Sequence, residues 1–258
     1  DKEFYVKSLA NICKKANKLI AVSNNTKKDL CQLFNVKKEK VFVSWQSSNI
    51  QIDNMYSQGM QEKLLQTYQL SKQSYFFFIG NIEPKKNVKR LIQAYLLSNP
   101  EQSLVIVGNQ AWKSEEELAQ YNQLKEMKKL SQQRYSKVNK IILMNYLPQQ
   151  EMLTLLANAR ALTFPSLYEG FGLPILEAMQ LGVPVLTSNT SSMVEIAGDA
   201  ALYVDPYNVE EISYGIEKLS SNCDICQELS QKGIEQAKKF NFTSYQTKMI
   251  NFYQSIIK

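Results

Sequence analysis

Residues 161–187, ALTFPSLYEGFGLPILEAMQLGVPVLT, decide the fold. The run ALTF reads as a strand over 161–164, and PVLT as a second strand over 184–187. Between them the spacing predicts a helix over 174–181. Strand, helix and strand of these lengths form a unit of a parallel sheet, whose strands are apolar throughout because both faces are covered. Pro174 reads as the first helical position, where its missing N–H costs nothing. Gly170 and Gly172 let the backbone approach a ligand and turn several N–H groups towards an anion.

The same alternation extends in both directions. Towards the amino end, strands are expected over 75–79 (YFFFI), 103–107 (SLVIV) and 141–144 (IILM), with helices over 88–97, 115–130 and 150–159. An earlier unit has strands over 18–22 and 40–45 and a helix over 26–34 capped by Ser23. Residues 46–62 are polar and lack periodicity, so they read as a linker or domain crossing. Residues 243–257 carry an apolar helical stripe that must pack on something. The whole is a doubly wound, Rossmann-like α/β sheet, and ligands of such sheets sit beyond the carboxyl ends of the strands.

Two post-strand segments therefore carry the candidate chemistry. GNIEPKKN, residues 80–87, delivers Lys85 and Lys86 to a helix amino end, where free N–H groups already favour phosphate; a solvated turn is the alternative. In the second segment Glu169 precedes the glycines and Glu177 follows in the helix, eight positions later. A carboxylate beside a diphosphate would repel it, so Glu177 is expected to face neutral hydroxyls such as those of a ribose. Glu169 is expected to face sugar hydroxyls or a transient positive charge on a sugar ring. Ordinary helix-start electrostatics, worth about 0.3–1 kcal/mol each, is the competing explanation for both. Ser192-x-x-Glu195 reads as a capping box for a short helix that ends at Gly198, in a loop placed to line the same cleft.

Composition bounds the rest. The chain has 258 residues, 44% hydrophobic and 21% charged, enough for one large or two modest domains. The net charge of +6 comes from scattered lysine pairs, which suit a solvated surface or attraction to anionic lipid or ligand. No nucleic-acid-binding signature accompanies that charge, so no nucleic-acid partner is expected. No apolar run approaches the roughly 20 residues of a membrane span. The expectation is a cytoplasmic chain, with at most peripheral contact at the inner membrane surface. The absence of histidine excludes Ser-His-Asp and Cys-His catalysis and histidine-ligated metal within this sequence. Cys223-x-x-Cys226 has redox or half-zinc spacing, but no second pair or histidine completes a site. Aspartates occur at positions 1, 29, 53, 199, 205 and 224, so no D-x-D pair exists to hold Mg²⁺. No metal or cofactor is expected, and a diphosphate would be neutralised by Lys85, Lys86 and backbone dipoles.

These residues together resemble family 4 of the retaining glycosyltransferases, which have the two-domain GT-B fold. Glu169 and Glu177 match its Glu-x7-Glu element, and GNIEPKKN matches its G-x-x-EP-R/K-KN element. SLVIVG, IILMNYL and TSNTSSMVEIAGDAALYVDP resemble the blocks that follow. The resemblance implies a nucleotide-sugar donor, GDP-mannose or a UDP-hexose, and a glycan or lipid-linked acceptor. It implies that Lys86 contacts the diphosphate with Lys85 assisting, near Gly80 and Asn81, and that the backbone of Asn145, Tyr146 and Leu147 reads the base. Gly170, Phe171, Gly172 and Leu173 would cradle phosphate and sugar, with Glu177 on the ribose and Glu169, with Lys86, at the reacting sugar.

The pattern divides the chain into residues 1–62, the end of an acceptor-binding amino-terminal domain plus linker; 63–240, the donor-binding domain; and 241–258, a helix packing back on the amino-terminal part. Some relatives carry an arginine where this sequence has Asn81. The sequence starts at Asp1, and most of the family's amino-terminal domain has no counterpart in it. A carboxy-terminal donor-binding part, inactive or weak alone, is therefore expected. The alternative is a non-catalytic donor-binding subunit whose partner chain supplies the other domain. A glycoside hydrolase using Glu169 and Glu177 is a third reading, in which the lysines and glycine turn have no purpose.

Overall fold

The computed structural model describes residues 2–48, 50, 55–130 and 140–257. Part of the expected linker, Asp1 and Asp53 lie outside them.

Two parallel sheets organise the chain. In the amino-terminal unit, α1 (Lys2–Lys15) precedes β1 (Leu19–Ala21), α2 (Asn24–Phe34) and β2 (Val41–Val43). The two strands pair in parallel with Leu19 opposite Val41, over a small core of Cys13, Ala21, Val36 and Val41. As expected, Ser23 caps α2, its hydroxyl accepting from the Thr26 N–H. Helix α1 leaves Phe4 and Tyr5 65% and 72% exposed.

The larger unit holds α3 (Gln58–Thr67), β3 (Tyr75–Ile79), α4 (Val88–Ser98), β4 (Ser103–Val107), α5 (Ser114–Leu130), β5 (Ile141–Met144) and α6 (Gln149–Ala157). It continues with β6 (Ala161–Phe164), α7 (Leu173–Gln180), β7 (Val185–Ser188), α8 (Ser191–Ala197), β8 (Leu202–Val204), α9 (Val209–Ser221) and α10 (Cys223–Ala237). Its six strands are all parallel in the order β5-β4-β3-β6-β7-β8, the order of a Rossmann sheet. Phe76, Phe77 and Phe78 are fully buried, and burial of each such side chain contributes about 1.5–3 kcal/mol. The central strands are covered on both faces, whereas the edge strands β5 and β8 are only partly buried.

The last helix, α11 (Phe242–Ile257), returns to the amino-terminal unit. Phe252 stacks on Phe42 with ring centroids 4.5 Å apart, and the Lys248 ammonium lies 5.0 Å from the Trp45 ring centroid. No helix among the described residues is long and apolar enough to cross a membrane.

Two expectations need correction. The polar segment read as a linker over 46–62 contains the start of α3, and the boundary drawn after Glu62 falls inside that helix; Leu65 anchors it in the main core. Helix α7 starts at Leu173, so Pro174 is its second residue.

Strand order turns the sheet about the β3–β6 pair, so the segments leaving these strands diverge around one crevice. Gly108, just after β4, makes the approach of the backbones there close: a Cβ on it would stand 1.9 Å from the Gly80 carbonyl oxygen. Gly108→Ala is expected to lower unfolding free energy by about 3 kcal/mol, read from urea denaturation. An unchanged midpoint would contradict this packing.

Candidate functional site

The β3–α4 segment is built around two unusual backbone positions. Gly80 has φ +149°, and its bare Cα leaves room for the Lys86 side chain, whose Cε lies 3.3 Å from where a Cβ would stand. Residues Pro84–Lys86 form one 3₁₀ turn, after which Asn87 adopts a left-handed conformation, φ +61°. Asn87 is buried, and its amide donates to the carbonyls of Pro165 at 2.9 Å and Pro206 at 2.7 Å. Its carbonyl oxygen accepts from Arg90 at 3.0 Å. One asparagine thus ties together the loops that follow β3, β6 and β8. A second tie runs from the Leu167 N–H to the Lys85 carbonyl, 2.7 Å.

This frame aims the adjacent lysines differently. The Lys85 side chain is exposed and pairs with Glu83 at 3.3 Å. Lys86 is turned inward over the Phe164 ring, 4.8 Å from its centroid, and its ammonium meets Glu169 Oε1 at 2.6 Å. Both side chains of that pair are only 12–13% exposed. The sheet therefore brings together Lys86 and Glu169, 83 residues apart in the chain.

Glu169 is also fixed through its backbone. Its N–H donates to Ser191 Oγ at 3.1 Å, while its carbonyl accepts from Ser191 at 2.7 Å and Ser192 at 2.8 Å. The Ser192 hydroxyl also reaches the Phe171 carbonyl. Ser191 has φ +59°, a strained left-handed conformation for a residue other than glycine, at the first position of α8. The loop then leans on the amino-terminal unit. Thr26 donates to the Gly170 carbonyl at 3.2 Å, and Tyr168 donates to Asp29. Burial, then the Asp29 contact, push the Tyr168 hydroxyl up to about 12. Phe171 packs edge-on against Phe240, and Gly172, φ +109°, turns the chain into α7 at the partly buried Leu173.

The capping box read at Ser192-x-x-Glu195 does not form. Ser192 serves the Glu169 loop, and the Glu195 carboxylate accepts from the Asn24 and Asn25 N–H groups, the Asn24 amide and the Trp45 indole. It caps α2 of the other unit, from 171 residues away. The loop does converge on the candidate site, as expected, through its serines.

Glu177 lies in α7, where burial pushes its carboxyl up to about 7. Its side chain makes no hydrogen bond or ion pair with another described residue.

The remaining predicted residues gather at a separate cleft of about 250 Å³. Gly80 and Asn81 line one side and Tyr146 and Leu147 the other, with Val107, Gly108 and Met152 between. Asn145 is exposed just before Tyr146 and is not part of the lining. Lys86, Glu169 and Glu177 do not line it either, so the Lys86–Glu169 pair and the cleft are two separate clusters joined by the β3–α4 segment. Reasoning from sequence missed the structural parts played by Asn87, Ser191 and Glu195; only the position of Asn87, next to the paired lysines, offered a signal.

A six-stranded parallel sheet in this order, with helices between its strands, defines a Rossmann-type domain. The chain belongs to group 1 of the glycosyl transferases, whose family model matches residues 60–240. It is 34% identical over 253 residues to the O-antigen chain mannosyltransferase B of Escherichia coli, covering 96% of this chain and 63% of that protein. It is 27% identical over 244 residues to the serotype-specific mannosyltransferase WbdA of Escherichia coli, covering 94% of this chain and 29% of WbdA. The chain thus spans less than two thirds of each of these relatives. Among solved structures, Anabaena HepE in complex with UDP and glucose superposes with a TM-score of 0.81 at 18% identity, covering 97% of this chain and 66% of that one. Sucrose-phosphate synthase from Thermosynechococcus elongatus gives 0.78 at 18% identity, covering 99% and 62%. These likenesses establish the fold, that of the GT-B glycosyltransferases.

The raised Glu177 carboxyl predicts a pH effect. Its folded value of about 7 exceeds its ordinary 4.5, so the folded state holds the proton more tightly, and stability falls as pH rises from 4.5 to about 7. The fall is at most about 3 kcal/mol. Urea midpoints at about pH 5 and about pH 8 should differ more for the parent than for Glu177→Gln; parallel profiles would contradict the assignment.

Proposed function

We propose that this chain is the donor-binding part of a retaining, metal-independent mannosyltransferase that moves mannose from GDP-mannose to a glycan or lipid-linked acceptor. One observation carries the reading: Lys86 and Glu169, paired at 2.6 Å where the strand order reverses, with a glycine turn leading into α7 beside them. A donor diphosphate placed at the amino end of α7 meets the helix dipole, the loop N–H groups of Gly170, Phe171, Gly172 and Leu173, and the Lys86 ammonium. Lys85, exposed on the same turn, adds longer-range positive charge.

Glu177 serves the ribose in this reading, its carboxyl accepting from the ribose hydroxyls. The cleft of Gly80, Asn81, Tyr146 and Leu147 takes the base, with Asn145 at its margin. The mannosyltransferase relatives support mannose as the sugar, and the UDP carried by HepE supports a nucleotide in this fold.

For retention, the acceptor hydroxyl attacks the anomeric carbon from the face the diphosphate leaves. The bond to the phosphate oxygen breaks with its electron pair, and that oxygen takes the hydroxyl proton. Lys86 neutralises the charge growing on the diphosphate, while Glu169 stabilises positive charge on the ring. No protein nucleophile is required in this scheme.

Calorimetric titration without added metal tests the reading. GDP and GDP-mannose should bind saturably and more tightly than UDP, ADP or their sugars. Lys86→Ala should weaken binding about tenfold to hundredfold, the worth of a charge-assisted hydrogen bond. Preference for uridine nucleotides would overturn mannose from GDP-mannose; a strict Mg²⁺ requirement would overturn metal independence; failure of every nucleotide would overturn the donor site.

A further inference from the structure

The paired cysteines of α10 have no part in the donor site, yet the fold gives them an organised environment. Cys223 is the first residue of α10 and is exposed; Cys226, one turn later, is buried. Both sulfurs address the same spot at the carboxyl end of α9. The Cys226 thiol donates to the Leu219 carbonyl at 3.3 Å. That carbonyl also accepts from Arg160 Nε at 2.7 Å, and the same guanidinium reaches Cys223 Sγ at 3.6 and 3.7 Å. Arg160 is itself buried and donates to the Ser220 carbonyl. Two thiols, one exposed and one buried, thus converge on one arginine.

We propose that Cys223 and Cys226 form a reversible dithiol centre that exchanges with low-molecular-weight disulfides. Residues one helical turn apart have Cα atoms about 5 Å apart, within the range a disulfide spans. Cys223 reacts first because it is exposed and reagent reaches it, while the Arg160 guanidinium holds its sulfur in place. The Cys223 thiolate attacks one sulfur of the small disulfide, forming a mixed disulfide and releasing one thiolate. Cys226 then gives its proton to solvent and attacks Cys223 Sγ, displacing the second thiolate. Two protein thiols are oxidised and the small disulfide is reduced to two thiols. Burial pushes the Cys226 thiol up, Arg160 opposes that, and Cys223 adds to it, so the two thiols sense one another. A ring closed across one helical turn gains little from loop entropy, which suits a bond that forms and breaks.

The test is incubation of the full chain with glutathione disulfide, followed by mass analysis of nonreduced peptides. The parent should lose two hydrogens within the Cys223–Cys226 peptide and retain no glutathione there. Cys226→Ser should retain glutathione at Cys223, and Cys223→Ser should leave Cys226 unmodified. Retained glutathione at Cys223 in the parent, no reaction at all, or prior oxidation of the half-buried Cys31 would each overturn the proposal.

Discussion

A largely buried ammonium and a largely buried carboxylate each need a partner of opposite charge, and the loops after β3 and β6 are arranged around that constraint. Removing two charges from water costs several kcal/mol per ion, and their attraction repays this only with good geometry and further support. Lys86 and Glu169 have both: a 2.6 Å contact, an aromatic ring beneath the ammonium, and a carboxylate whose peptide is held by two serines. Well-packed apolar residues would often serve stability equally well. A charge pair kept here at nearly full burial therefore fits a place that exchanges one partner for an anionic ligand. Strand order makes the pair attainable, since β3 and β6 are neighbours although separated by more than 80 residues.

Helix α8 carries that constraint to the other unit. At its start Ser191 and Ser192 hold the Glu169 peptide; one turn later Glu195 gathers the N–H groups at the start of α2 and the Trp45 indole. A carboxylate at a helix amino end is favoured by the macrodipole. One short helix thereby sets the position of Glu169 relative to both sheets. Thr26 to Gly170 and Tyr168 to Asp29 reinforce the same junction. The strain at Ser191 is tolerated because hydrogen bonds on both sides determine its position.

Much of the fold was legible because buried parallel strands are written as continuous apolar runs. The strands over 75–79, 103–107, 141–144 and 161–164 match the observed bounds residue for residue. The first half of α3 reads as linker because it is polar, and only Leu65, in the second half, is buried. Three-residue β8 is too short to stand out by pattern. At the site, the glycines and the lysine pair mark the turns after β3 and β6 in the sequence, because those residue types are needed locally. Glu195 was misread for the opposite reason: Ser-x-x-Glu satisfies a local rule, while its real partners lie 171 residues away and only folding reveals them. Nothing in the sequence marks the Lys86–Glu169 contact by itself, since it depends on which strands become neighbours.

The most direct measurement is a double-mutant cycle on stability, Lys86→Met with Glu169→Gln, performed with and without saturating GDP. The account predicts a clear coupling energy in the free protein, of order 1–3 kcal/mol, that falls markedly with nucleotide bound because Lys86 turns to the diphosphate. Coupling that is unchanged by nucleotide, with binding intact, would mean that Lys86 keeps its carboxylate and does not serve the donor.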